Sequence, residues 1–141
     1  MKKILIINSN YYKKISSNLA NNAIKKLTSA KCKVKILNVP GVFEIPIAIR
    51  KNIKRFDAFV ALGCVIKGQT PHFDLICSST FNAILNLSIN FNKPIGNGII
   101  TALNMNQAII RSKKTISDKP NKGHEAANAV LLILKNGTKK I

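Results

Sequence analysis

The densest run of reactive residue types is Lys67-Gly68-Gln69-Thr70-Pro71-His72-Phe73-Asp74. An apolar segment ends before it, Gly68 allows an unusual turn, Pro71 sets φ, and helical periodicity begins at about Phe73. Free backbone N–H groups at such a helix start, with the positive end of its dipole, suit an oxyanion or a phosphate. His72 beside that turn is a candidate proton carrier, because an imidazole gives and takes protons near neutrality. A structural or solvated histidine is the alternative at this stage. His124 has no such setting and reads as a surface residue.

Glu44 follows Phe43 at a predicted helix start, where a carboxylate either complements the dipole or binds a ligand. Phe43 and Tyr11 could stack on a flat heterocycle or belong to the core. Arg111 closes a short predicted helix, where its guanidinium either suits the carbonyl end or clamps a phosphate bidentately. Lys122 precedes Gly123 and either contacts a ligand or is solvated. No G-x-x-x-x-G-K-[ST] loop is present, and Gly96-Asn97-Gly98 falls within a predicted strand and opens no helix. ATP and nicotinamide dinucleotides are therefore not indicated.

The elements that must position these groups follow from periodicity. Four short apolar runs, Lys3–Asn8, Lys33–Val39, Asp57–Ile66 and Pro94–Thr101, alternate with segments of helical period. Runs that are nearly all apolar predict strands covered on both faces, hence a mainly parallel four-stranded sheet between helix layers. Helices are predicted over Ile15–Ala30, with Ile15, Leu19, Ala23, Ile24 and Leu27 inward, and over Phe43–Arg55, with Ile47, Ile49 and Ile53 inward. The clearest is Phe73–Phe91, whose inward face carries Phe73, Ile76, Cys77, Thr80, Phe81, Ile84, Leu87 and Phe91. Met105–Arg111 and Gly123–Leu134 complete the series, with Gly137 as a stop. The order βαβαβαβαα implies one domain, residues 1–141, built as a three-layer α/β/α sandwich. In such sheets ligands gather beyond the carboxyl ends of the strands, where Asn8–Tyr12, Pro40–Glu44 and Lys67–His72 all fall.

Composition narrows the class. The chain has 141 residues, 46% of them apolar, which suits one globular domain. No apolar run approaches a membrane span, and the apolar start after Met1-Lys2-Lys3 is too short for a signal peptide, so a cytosolic location is expected. Cys32, Cys64 and Cys77 are odd in number, widely spaced and without a C-x-x-C pair. They read as buried free thiols, and no metal site is expected. The net charge of +18 would normally suggest a nucleic-acid partner. The lysines, however, are spread along the chain without interleaved aromatics, and arginine occurs only at positions 50, 55 and 111. Most of the charge is read as solvated surface, and nucleic acid is not the favoured partner.

Two blocks then carry a resemblance: Val39-Pro40-Gly41-Val42-Phe43-Glu44-Ile45-Pro46 and Ala61-Leu62-Gly63-Cys64-Val65-Ile66-Lys67-Gly68-Gln69-Thr70-Pro71-His72-Phe73-Asp74. With Gly96–Thr101, Gln107–Arg111 and Asn121-Lys122-Gly123, in this order over nearly the whole chain, the sequence resembles the lumazine synthase family of riboflavin biosynthesis. The resemblance implies a flavodoxin-like fold and condensation of 5-amino-6-(D-ribitylamino)uracil with 3,4-dihydroxy-2-butanone 4-phosphate. The products would be 6,7-dimethyl-8-ribityllumazine, phosphate and water, with no cofactor. It implies that Tyr11 stacks on the pyrimidine, Phe43 and Glu44 hold the ring and ribityl hydroxyls, and the backbone at Val65 and Ile66 reads the heterocycle. Gln69 and Thr70 would grip the butanone phosphate with Arg111 as cationic clamp, His72 would be the acid/base, and Lys122 would contact ligand. Asn97, where many relatives have phenylalanine, would come with Arg111 and Lys122 from the adjacent subunit. A longer, glycine-free Ser112–Pro120 and a start close to the first strand lead to the expectation of a homopentamer rather than a shell, with a functional link to riboflavin synthase. A flavin- or phosphate-binding module without catalysis, and a basic nucleic-acid-binding protein, are the rival readings.

Overall fold

The computed structural model describes residues 1–113 and 121–136. The part of Ser112–Pro120 beyond Lys113, and the stop expected at Gly137, lie outside the described residues. The elements are β1 (Lys3–Ser9), α1 (Lys13–Ser29), β2 (Lys33–Val39), a 3-10 turn (Val42–Glu44), α2 (Ile45–Asn52), β3 (Ala58–Ile66), α3 (His72–Phe91), β4 (Ile95–Ala102), α4 (Met105–Ser112) and α5 (Lys122–Lys135).

The strands form one sheet in the order β2-β1-β3-β4, and every pairing is parallel. Parallel neighbours need crossover connections, which the helices supply. Alternate strand residues face opposite layers. Ile4, Ile6, Val60, Leu62 and Ile100 pack with α1, α4 and α5. Leu5, Ile7, Phe59, Ala61 and Ile99 pack with α2 and α3. The result is the expected α/β/α sandwich.

Two glycines in β4 set how closely α5 approaches. A Cβ on Gly96 would lie 2.3 Å from the Ala126 carbonyl oxygen, and one on Gly98 would lie 2.5 Å from Leu62 Cδ2. The Gly-Asn-Gly run is therefore a packing device for a helix, not a phosphate-binding turn.

Several expectations are corrected. The helix predicted from Phe43 starts as a 3-10 turn and becomes α-helix only at Ile45, ending at Asn52. Within it Ile47 points outward, 58% exposed, while Ile45, Ala48 and Ile49 are buried. The helix is eight residues long with Pro46 in its first turn, and its inward stripe is Ile45, Ala48 and Ile49. β2 is an edge strand, and Ile36 and Leu37 remain exposed, unlike the central strands. Phe91 is exposed beneath the Arg50 guanidinium, 4.6 Å from its ring centroid. Of the cysteines only Cys64 is buried; Cys32 and Cys77 are half-buried. Gly68 does not have positive φ, and nothing lies within 4 Å of where its Cβ would be. The turn after β3 thus needs no special backbone at that residue.

Candidate active site

Ser9, Val39 and Ile66 end three neighbouring strands at one edge of the sheet. There the chain folds around a cavity of about 340 Å³ lined by Tyr11, Phe43, Val65, Ile66 and His72, with Gly41 and Ile76. Tyr11 is 73% and Phe43 64% exposed, so neither is core. Both line the cavity, and the core alternative is excluded for both. Tyr11 is held edge-on against Tyr12, centroids 4.9 Å apart and planes at 81°. His72 is the first residue of α3, directly after Pro71, and is exposed at the mouth. Gln69 and Thr70 lie on the exposed stretch leading into that helix.

Glu44 sits differently from Phe43. Its side chain folds back over Gly41, where a Cβ would lie 3.0 Å from Glu44 Oε2. It also lines a shallow groove with Leu37, Ile47 and Lys51 on the outer side of the 3-10 turn. The missing Cβ at Gly41 is what lets the carboxylate lie beside a residue of the aromatic cavity.

Asn97, Arg111 and Lys122 are not in that cavity. They line a second cleft, about 240 Å³, along the free edge of β4 with Phe81, Thr101 and Glu125. Arg111 Nη1 donates to the Gln107 carbonyl at 3.3 Å, in the last turn of α4. Lys122 Nζ lies 3.6 Å from Glu125 Oε2, one turn along α5. The Asn97 side-chain oxygen accepts from the Ile99 N–H at 3.1 Å. Among the described residues Arg111 forms no ion pair, and its guanidinium bonds back to the Gln107 carbonyl of its own helix.

The joint that places Lys122 is Asn121. It is fully buried, its side-chain oxygen accepts from the N–H groups of Gly123 and His124, and its amide donates to the Ser112 and Lys113 carbonyls. One side chain thereby caps α5 and holds the end of α4 against its start. A larger hollow of about 630 Å³ lies elsewhere, between α1 and α5, where half-buried His124 sits with Asn18, Asn22 and Lys25. No strand end reaches it, and helix surfaces of asparagine and lysine offer no convergent chemistry. The smaller pair of clefts is the candidate site.

Residues given no individual role in the sequence reading complete the cavity lining. Ser9 Oγ is buried without a partner, while Tyr12 and Cys64 line the wall. A polar residue closing an apolar strand is the signal that marks Ser9; Phe81 and Glu125 carry no local signal because only helix packing brings them to the second cleft. Burial pushes the Cys64 thiol up to about 11 from 9.0. It also raises Tyr12, helped by Cys64 and Tyr11 beside it. A folded pKa above the unfolded one means that the unfolded chain loses this proton first. Stability is therefore expected to decline as pH climbs from about 9 toward 11, and Cys64→Ala to flatten that decline in denaturant titrations. In the native protein Cys64 should remain unlabelled by a thiol reagent at pH 8 and react only on unfolding.

Among the described residues no three His, Cys, Asp or Glu side chains gather as a metal site, and no helix is long and apolar enough to cross a membrane. Fold and clefts together define a parallel-sheet α/β protein with an aromatic-lined cavity at its strand ends and a separate cleft carrying Arg111 and Lys122. The family model for 6,7-dimethyl-8-ribityllumazine synthase matches residues 1–136, and the chain belongs to that family. It is 39% identical to the 6,7-dimethyl-8-ribityllumazine synthase of Bartonella tribocorum over 93% of this chain and 87% of the relative. It is 41% identical to that of Bartonella henselae over 93% and 85%, and 37% identical to that of Methylorubrum populi over 94% and 80%.

Proposed function

We propose that this protein is a transferase that condenses 5-amino-6-(D-ribitylamino)uracil with 3,4-dihydroxy-2-butanone 4-phosphate, giving 6,7-dimethyl-8-ribityllumazine, phosphate and water. The observation that carries the reading is the division of the site: the ring-binding cavity and the cationic cleft are lined by different residues of one chain. Each half is incomplete alone. Homo-oligomers with head-to-tail contacts bring one surface of a subunit against a different surface of the next. A closed ring of five such copies would seat Asn97, Arg111 and Lys122 of one subunit beside Tyr11, Phe43 and His72 of its neighbour. The outer face of α3 supports association, because Leu75, Leu85 and Ile89 are 64%, 57% and 68% exposed there.

In this arrangement Tyr11 and Phe43 hold the pyrimidine, the Val65 and Ile66 backbone reads its edge, and Glu44 takes ribityl hydroxyls. Gln69, Thr70 and Arg111 hold the phosphate, with Lys122 on the ligand. The 5-amino nitrogen adds to the ketone, and the carbinolamine loses water to an imine. Loss of a proton from carbon expels phosphate with its bonding electrons and leaves an enol. The enol becomes the second carbonyl, which the ribitylamino nitrogen attacks with loss of a second water. Every step shifts a proton, and His72 at the mouth is placed to carry it. No bond to the enzyme forms, so most of the acceleration comes from holding two reactants in contact.

The direct test is lumazine formation from the two substrates by the purified protein, followed by fluorescence; no product at saturating substrates overturns the reading. His72→Ala should lower kcat by about 10²-fold or less, at the low end for a proton carrier, because an exposed site lets water substitute. An unchanged kcat would remove His72 from the proton path. Gly68→Ala should leave the melting temperature unchanged, since its Cβ meets nothing. A raised KM for the butanone phosphate in that variant would show that the ligand approaches this backbone.

A further inference from the structure

The opposite end of the sheet carries a feature that the reaction does not use. Lys33 and Lys35 lie two residues apart on β2 and so project from one face, and Lys3 of β1 is the register partner of Lys33. That face is the one covered by α2, since Leu5 and Ile7 alternate with Lys3 on it and pack there. The cover is short. Eight helical residues span about 12 Å, whereas the seven residues of β2 span about 23 Å. α2 therefore reaches Leu37 and Val39 but leaves Lys33 and Lys35 open. Lys54 and Arg55, in the turn that follows α2, close the space, and buried Phe56 forms its floor.

The result is a concavity of about 400 Å³ with five cations on its wall and no carboxylate among its lining residues. Asp57, next in sequence to Phe56, accepts from the Lys3 backbone N–H at 2.7 Å. None of the five cations forms an ion pair among the described residues. Like charges gathered on one wall repel one another, and an anion with several charges spaced along it relieves that repulsion at several points at once. A single compact anion would neutralise only part of the wall. Lysines far apart in the sequence are thus collected by the fold onto one face.

We propose that this cleft, at the end of the sheet away from the ring-binding cavity, is a binding site for a chain of phosphate groups. The proposal stands whether or not the condensation reaction does, because it uses none of that site's residues. The chain of phosphates could be a free oligophosphate or the backbone of single-stranded nucleic acid, and the test separates the two sources.

The full-length protein is titrated with tripolyphosphate and with a labelled RNA of about twelve nucleotides, a length within the range that one small domain contacts. Binding is followed as salt rises from about 50 to about 200 mM. The double variant Lys33→Glu/Lys35→Glu is compared with Lys25→Glu/Lys135→Glu, which changes the net charge equally on exposed helix positions outside the cleft. The cleft variant should lose about tenfold or more in affinity for the bound probe, the control about twofold or less, with both variants melting like wild type. Five phosphate contacts predict a log-affinity against log-salt slope of about −3 to −4 for a single strand. Tighter binding of RNA assigns the nucleic-acid backbone, and equal or tighter binding of tripolyphosphate assigns a free oligophosphate. Equal losses in the two variants, or no binding of either probe at 50 mM salt, would overturn the site and leave only a diffuse field.

Discussion

Arg111→Ala is expected to lower kcat/KM by on the order of 10²–10³-fold, the size seen when one donor aimed at developing negative charge is removed. Arg111 is exposed and, among the described residues, bonds to its own helix through Nη1, so the folded chain should be unaffected. Arg111→Lys should recover only part of the loss, because a point charge replaces a planar fork with two parallel donors. A loss below about tenfold for Arg111→Ala would remove the clamp. The stronger form of the prediction uses mixing. Chains carrying Arg111→Ala retain an intact ring-binding cavity, and chains carrying Phe43→Ala with His72→Ala retain an intact cationic cleft. If the two halves meet between subunits, random co-assembly at equal ratio should restore about a quarter of the sites to wild-type composition. If each chain carries its own whole site, the mixture will show only the average of its two impaired parents.

The second large effect concerns the joint that carries Lys122. A Cβ on Gly123 would lie 2.2 Å from the Leu19 carbonyl oxygen and 2.9 Å from its carbon, both backbone atoms of α1 that cannot swing aside. Gly123→Ala must push α5 from α1 or unseat Asn121, whose side-chain oxygen accepts from the Gly123 N–H at 2.7 Å. Overpacking a rigid contact costs about 1–3 kcal/mol, occasionally more, and an unsatisfied buried polar group about 1–3 kcal/mol. A loss of about 3 kcal/mol, or roughly 10 °C in melting temperature, is expected by calorimetry. The gain in helix propensity from glycine to alanine, about 1 kcal/mol, makes the sign informative. A variant as stable as wild type would mean that α1 and α5 are less tightly joined than these distances require. Gly68→Ala is the companion measurement, since the same substitution there meets open space.

Gly123 and Gly68 also show how far residue type can be read without coordinates. Both lie in blocks that mark the family, and both stand at or just before a predicted helix start. One is a close approach of two helices, and the other has neither a left-handed φ nor a neighbour. What distinguishes them is the distance to a chain segment about a hundred residues away in one case and to nothing in the other.

Local periodicity was sufficient for the architecture. Apolar runs of six to ten residues became strands of seven to nine, and the longest regular i, i+3, i+4 pattern became α3, because strand and helix periods are properties of neighbouring residues. The three strand-end segments that meet at one cavity were also legible, since a parallel sheet puts all carboxyl ends on one edge. The sequence by itself therefore determined the layered parallel sheet, the edge where ligand chemistry belongs, and the family. Only the tertiary structure decided that Ile47 and β2 face outward, that Glu44 lies back over Gly41, and that Arg111 and Lys122 occupy a cleft apart from His72. It also gathered Lys3, Lys33, Lys35, Lys54 and Arg55 at the far end. The reason is common to all of these. Each depends on the length and seating of one element against another, and such distances between segments remote in the chain leave no periodic trace in the residues themselves.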